Sequence, residues 1–318
     1  MRERHAPRAR FVGSLTPPVE TAFVLGAGLG TRLKTLTERL PKPLIPIYGK
    51  QLITFAFDQL IAAGATEIVV NTHHCHIDYD VAFPDRVYRG ARLIFEYEPV
   101  LLETAGGIKN VERHFRGEGF MVYNGDVLTD LPLGKAIEHH RAAGNEVTMV
   151  LRSTGEPLHV TLREGRVVDI AGRLGAPGER FLFTGIYLVE PAFLRRIPER
   201  TKISVIPLFM EMIKQGAKLG GVVVDDGNWW DLGTREKYLD VHAAMGARIV
   251  VDAAARVAPD ARLGGFVAAS PGVEIEPGAQ VTDCILWEGA RVLAGSDLNR
   301  CIVTAGRTAA GRHTGADF

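Results

Sequence analysis

Cysteine is scarce in this chain: three in 318 residues, Cys75, Cys284 and Cys301, far apart and without metal-ligand spacing. That excludes a disulfide scaffold and predicts a reducing, cytoplasmic setting with each thiol a small core residue. Net charge is absent too, since Lys plus Arg and Asp plus Glu both number 37. No overall field then draws the protein to nucleic acid or to an acidic membrane. Apolar runs are short, none near the ~20 residues that span a bilayer, so a soluble protein is expected. Residues 1–20 carry Arg2, Arg4, Arg8 and Arg10 but no apolar core, and Pro17-Pro18 stand near their end. This excludes a secretory signal and reads as a disordered extension or a start site placed too far upstream.

What is present begins at residue 21. Ala22-Phe23-Val24-Leu25 has the length of a buried strand and breaks into Gly26-Ala27-Gly28-Leu29-Gly30-Thr31-Arg32. Alternate glycines let the backbone approach a ligand and expose consecutive N–H groups to an anion, while Thr31 and Arg32 add a hydroxyl donor and a fixed cation. The loop is built for phosphate. A dinucleotide fingerprint would need G-x-G-x-x-G and an acid about 20 residues on. Thr31 fills its third glycine slot, and no Asp or Glu lies between Leu40 and Phe57. A P-loop would need Gly-Lys-Ser/Thr, and Gly30 is followed by Thr31-Arg32. Downstream, Pro41 and Pro43 hold Lys42 on a rigid extended segment.

G-x-G-T-R-L, Thr37 and then P-K-P-L together resemble the nucleotide-binding motif of the sugar-1-phosphate nucleotidyltransferases, with one departure: Thr35 stands where the family usually has Pro. The resemblance implies that Leu25, Gly26, Ala27, Gly28, Gly30, Thr31 and Gly106 hold the nucleotide and that Arg32 and Lys42 act in catalysis. Asn124-Gly125-Asp126, after the strand predicted over residues 119–124, matches the family's metal-binding Gly-Asp; Trp230-Asp231-Leu232-Gly233-Thr234 resembles its second metal ligand. Asp126 and Asp231 would thus share Mg²⁺, a hard cation suited to carboxylates and phosphates. Flanking aromatics would bury Asp231 at a cost unless a cation satisfies it; a helix cap is its plainer reading. Glu103-Thr104-Ala105-Gly106-Gly107 resembles the base- and sugar-contacting loop of the mannose-1-phosphate guanylyltransferase and N-acetylmuramate-1-phosphate uridylyltransferase branches. Its helix start should leave N–H groups exposed. Glu103, Asn124 and Gly185 are the candidate sugar contacts, Gly185 by letting a sugar lie against the backbone. Many members also carry a Glu-Lys-Pro lysine on the sugar phosphate; here that region reads Asp169-Ile170-Ala171-Gly172-Arg173 and offers only Arg173.

Periodicity supplies the frame. Residues 50–64 show helical spacing ended by Gly64, Glu67 to Asn71 reads as a strand, Leu93 to Tyr97 as another, and residues 106–115 as a helix, so βαβ units and a parallel sheet are expected. A hairpin over 158–170 and a helix over 204–215 follow. His73, His74 and His76 lack the spacing of a tetrahedral metal site. Beyond about residue 247, aliphatic residues recur in steps of six, among them Val251, Val257 and Leu263, then Val267 and Val273, then Leu286, Val292 and Leu298. Such steps suit a left-handed parallel β-helix. The expected fold is α/β, a doubly wound Rossmann-like mixed sheet of the nucleotidyltransferase type over 21–246, with a short β-helix tail over 247–318 that joins copies into a homo-oligomer. The expected reaction is Mg²⁺-dependent attack of a sugar 1-phosphate on a nucleoside triphosphate. Other readings stay open: a non-sugar acceptor such as phosphocholine, a non-catalytic nucleotide-sugar-binding regulator, or an acyltransferase tail, for which the repeats hold no obvious catalytic histidine.

Overall fold

The computed structural model describes residues 19–246 and 248–318; residues 1–18 of the expected extension, and Ala247 at the expected boundary, lie outside the described residues. A ten-stranded sheet forms the centre. Thr21–Leu25 lies between Glu67–Thr72 and Phe120–Asn124, parallel to both, and Ala91–Tyr97 extends this group beyond Glu67–Thr72. On the other flank, Glu179–Val189 runs antiparallel to Phe120–Asn124 and to Val147–Arg152. The hairpin of Val160–Arg163 and Arg166–Ile170 follows as predicted. The sheet is therefore mixed, and its four parallel strands deliver their carboxyl ends to one edge.

Alternation along the strands explains two separate cores. Ala22, Val24, Ile68, Val70, Met121 and Tyr123 face the helix Ile53–Ala62, while Phe23, Val69 and Val122 face the helices Glu103–Asn110 and Val205–Lys214. Apolar residues on both faces of a parallel strand require cover on both sides. Local boundaries differ from the expectation where backbone bonds compete. Lys50–Gln51 pairs with Pro46–Ile47 as a short ladder, so the predicted helix starts only at Ile53. The helix expected over 106–115 starts earlier, at Glu103, and its last turn is a separate 3₁₀ turn, Glu112–His114.

Past residue 247 the chain coils. Ile249–Val251, Arg262–Ala269 and Gln280–Leu286 stack in parallel, and Arg256–Val257, Glu274–Ile275, Arg291–Val292 and Thr308–Ala309 form a second parallel ladder. Val267, Val273, Val281, Leu286, Val292 and Leu298 fill the interior, so these six-residue steps become buried ladders, while Val257 and Leu263 are partly buried and Val251 stays exposed. Cys284 and Cys301 sit in this core as expected; Cys75 does not, being half-buried on a turn. No helix among the described residues is long and apolar enough to cross a membrane.

The coil does not hang free. Leu33 and Leu36, from the 3₁₀ helix Thr31–Thr37 that follows the glycine loop, share one buried cluster with Tyr238, Phe266, Ile285, Trp287 and Ile302. Trp287 Nε1 donates to the Tyr238 hydroxyl (3.1 Å), which in turn donates to the Pro46 carbonyl. His242, on the helix Arg235–Ala244, is fully buried beside them. Its Nε2 faces the Tyr48 N–H (3.4 Å) and its Nδ1 the Tyr238 carbonyl (2.8 Å), an arrangement that suits the neutral ring with hydrogen on Nδ1.

Burial pushes the His242 pKa from 6.5 down to about 4. Between those values the unfolded chain binds the extra proton, so the stability held above pH 6.5 drains as pH falls, by about 3 kcal/mol in all. The thermal midpoint should drop between pH 7 and pH 4.5, and His242→Phe should flatten that drop by several degrees; equal slopes by calorimetry would contradict this.

Candidate active site

At the carboxyl edge of the sheet lies a cavity of about 500 Å³. It is built where three strands end. After Thr21–Leu25 the chain has Gly26 buried and Gly28 open, with nothing near the position a Cβ would take. Gly30, at φ +63, adopts the left-handed turn that starts the Thr31–Thr37 helix, and the Thr37 hydroxyl donates to its carbonyl (3.0 Å). Of the residues expected to hold the nucleotide or act in catalysis, Leu25, Ala27, Gly28, Gly30, Thr31 and Arg32 border the cavity; Gly26 does not. Gly26 has a structural reason: a Cβ would fall 2.7 Å from the Asn71 carbonyl.

After Phe120–Asn124 comes the tight turn to Val127–Thr129. Gly125 donates its N–H to the Leu25 carbonyl (3.0 Å), and a Cβ there would lie 2.7 Å from that oxygen. Asp126 thereby enters the cavity beside the glycine loop. Lys42, buried in the Pro41–Leu44 turn, sets its ammonium 2.7 Å from the Asp126 carboxylate. Trp229–Asp231 pairs antiparallel with Val127–Thr129, which puts Asp231 opposite Val127, and Leu232 donates to the Asp126 carbonyl (3.2 Å). The backbones of Asp126 and Asp231 are thereby set beside each other. Asp231 is not a helix cap; Thr234 is, accepting from the Lys237 N–H. Nor is Asp231 buried among aromatics as expected: it is partly exposed, pairs with Lys237 Nζ at 2.9 Å, and is not among the residues bordering the cavity.

Other predicted contacts have different geometry. The Gly106 N–H is spent on the Ile203 carbonyl (3.1 Å), as is that of Ala105, and a Cβ on Gly106 would strike the Thr201 carbonyl at 2.4 Å. Gly106 therefore packs the helix against a loop and does not border this cavity, and the Ala105 and Gly106 amides are already bonded. Gly185, at φ +81 in an irregular stretch of Glu179–Val189, leaves room for the Asn124 side chain, which does reach the cavity. Glu103 lines the opposite wall; Arg173 lies away from it, on a loop held by Asp169 through the Leu174 and Ala176 amides. The histidine trio is used locally: His73 bonds the Glu98 carbonyl, His74 the Thr37 carbonyl, and His76 stacks on Tyr97.

Sequence reasoning missed Asn71 and Glu98. Asn71 Oδ1 accepts from the Gly26 N–H (2.9 Å) and the Ala27 N–H (3.4 Å), and its Nδ2 donates to Glu98 (2.9 Å). The other Glu98 oxygen accepts from the Leu102 N–H (3.1 Å). Gly107 presses against both side chains, with room for no Cβ. Burial pushes the Glu98 pKa up, while the bonds from Asn71 and Leu102 pull it back. The pair ties the glycine loop to the loop carrying Glu103. Gly233 was read only as part of a motif; it is the floor on which the Arg32 guanidinium lies, 2.8 Å from where a Cβ would be.

A family profile described as "Nucleotidyl transferase" matches residues 21–248. The chain is 32% identical to the mannose-1-phosphate guanylyltransferase of Mycobacterium tuberculosis (strain ATCC 25618 / H37Rv), across 88% of this chain and 83% of that protein. It is 30% identical to the N-acetylmuramate alpha-1-phosphate uridylyltransferase of Neisseria meningitidis serogroup B, across 71% and 98%. A UDP-glucose pyrophosphorylase from Acinetobacter baumanii shares the fold at a TM-score of 0.60 and 15% identity, across 72% of this chain and 93% of that one.

Gly233→Ala should displace the Arg32 guanidinium without touching the core, lowering turnover about tenfold or more while the thermal midpoint stays put. Glu98→Gln places an amide N–H against one of two donors and should raise the nucleotide KM about tenfold; an unchanged KM would show that the link does not shape the loop.

Proposed function

Since the chain belongs to the nucleotidyl transferase family, we propose that the cavity is the active site of a sugar-1-phosphate nucleotidyltransferase. The enzyme transfers a nucleoside monophosphate from a nucleoside triphosphate to a sugar 1-phosphate, giving an NDP-sugar and pyrophosphate. The observation that carries the site assignment is the convergence of the open Gly28 turn, Arg32 and the Lys42–Asp126 pair on one cavity at the sheet edge, with Asp231 on the strand paired beside Asp126.

A sugar-phosphate oxygen, already an anion at neutral pH, attacks the α-phosphorus; a new P–O bond forms there as the bond to the β-phosphate oxygen breaks, and pyrophosphate leaves with that electron pair. No proton has to move, so no Ser, Cys or His pair is required. Positioning and charge neutralisation remain. In this reading the loop amides and Arg32 hold the pyrophosphate, Lys42 offsets charge at the α-phosphate, and Asn124 faces the sugar. The donor set fits a divalent cation. Asp126, in the turn before Val127–Thr129, and Asp231, on the strand paired with it, are hard oxygen donors, and the Asp231–Lys237 pair is partly exposed and weak enough to yield. Mg²⁺ suits such a pair, since it takes one or two carboxylates and leaves positions for water and phosphate. Bound Mg²⁺, held by Asp126 and Asp231, would supply positive charge that offsets the charge of the phosphates.

The remaining expectations belong to the same proposal: a catalytic unit over 21–246, coils over 247–318 winding left-handed, and contacts between copies through the coils. The open ladder ends of the coils favour such contacts. Asp126→Asn and Asp231→Asn should each cut pyrophosphate release about a hundredfold or more with the far-UV circular dichroism unchanged. Near-normal release in either would remove that residue from the metal site.

A further inference from the structure

The two carboxylates that would hold the cation are each paired with a lysine, and the two lysines are of different kinds. Lys42 has a side chain only 7% exposed and rises from the Pro41–Leu44 turn, so it has little room to leave Asp126. Lys237 stands in the first turn of the helix Arg235–Ala244, its side chain half exposed and its ammonium 2.9 Å from Asp231. Among the described residues, Asp231 is the one carboxylate within ion-pair distance of it.

An exposed lysine pair is weak, and a divalent ion brings twice the charge to the same oxygens. Lys237 therefore yields Asp231 to the cation, and repulsion between the two like charges turns the ammonium away. Its root limits where it can turn. The Lys237 N–H is bonded to the Thr234 hydroxyl oxygen (3.3 Å), and Thr234 follows Gly233, the floor of the Arg32 guanidinium at the cavity wall. On its own helix, Asp240 faces Arg300 at 3.5 Å, and Glu236, one position back, projects in another direction.

Positive charge is short on the side it can reach. Among the described residues, Arg32 and Lys42 are the cationic side chains that border the cavity. With Arg32 on the pyrophosphate and Lys42 at the α-phosphate, the entering phosphate meets Asn124, a neutral amide, and the two aspartates, which repel it. The strand of Asp231 is paired beside Asp126, so an ammonium released from Asp231 is released next to that phosphate's place.

From this, and resting on the nucleotidyltransferase reading of the site, we infer that Lys237 is a ligand of the entering sugar phosphate. It guards Asp231 until the cation arrives and then passes its ammonium from the carboxylate to the phosphate. No covalent bond changes and no proton moves: one oxygen acceptor replaces another. The flexible four-carbon stem and rotatable donors of lysine suit a group with two stations.

The experiment uses the full chain and Lys237→Met, which keeps an apolar stem and loses the charge, with Lys237→Arg as the variant that keeps it. Mn²⁺ binding to the nucleotide-free protein, read by electron paramagnetic resonance, should tighten about twofold to fivefold in Lys237→Met, the worth of an exposed pair. Steady-state kinetics over a panel of hexose 1-phosphates should show the KM for the sugar 1-phosphate raised about 10- to 100-fold in the same variant, the worth of one charge-assisted hydrogen bond, with the KM for the nucleoside triphosphate within about twofold of wild type. Lys237→Arg should bring the sugar 1-phosphate KM back to within about threefold. Tighter Mn²⁺ binding with an unchanged sugar 1-phosphate KM, an equal rise in both KM values, or an unchanged Mn²⁺ affinity overturns the inference and leaves the reaction standing. A wild type that transfers to no hexose 1-phosphate of the panel overturns the reading of the reaction, and the inference with it.

Discussion

A strand that ends at a ligand leaves backbone amides with nowhere to bond, and the buried Asn71 carboxamide answers that constraint here. By accepting from Gly26 and Ala27 it fixes the first residues of the loop, so that the following amides are free to face the cavity. Its own N–H group is satisfied by Glu98, which also captures the Leu102 amide before the next helix. Unmade hydrogen bonds in such a buried place cost about 1–3 kcal/mol each, which is why the arrangement is closed on every side, down to the missing Cβ of Gly107. The glycine-loop wall and the wall that carries Glu103 are therefore tied together by hydrogen bonds.

Electrostatics at the site is a matter of local placement, since the chain as a whole is neutral. Lys42 is buried and would be costly without Asp126; Asp126 stands where the glycine turn admits it; Asp231 is held by strand pairing and balanced by a surface lysine. Each charge is oriented before any substrate arrives, so little reorganisation is left for the reaction itself. Arg32 is different. No ion pair holds it among the described residues, and its guanidinium is positioned by the flat floor at Gly233.

Much of this was legible in the residues because it is local. A short apolar run, alternate glycines and a lysine between prolines lie within one stretch, and the six-residue steps of the tail declare a coil by themselves. Asp126 and Asp231 were legible only through their motifs, being 105 positions apart in the chain. Asn71 and Glu98 carried no local pattern at all: their meaning arises from a contact between two strand ends. Gly106 shows the converse failure, for the sequence displays a glycine but not the Thr201 carbonyl that demands it. Gly185 was placed against a sugar because the Asn124 amide that fills its space comes from a neighbouring strand.

Leu33 and Leu36 spend their side chains on the coil, not on the sheet. The stretch that follows the glycine loop is thus packed from behind by coil residues, Phe266 to Ile302, that come far later in the chain. What reads along the sequence as a head with a detachable appendage has a shared seam, and a chimera that exchanged the coils for those of a relative would have to bring matching partners for both leucines. Modularity in the order of residues does not extend to the joinery.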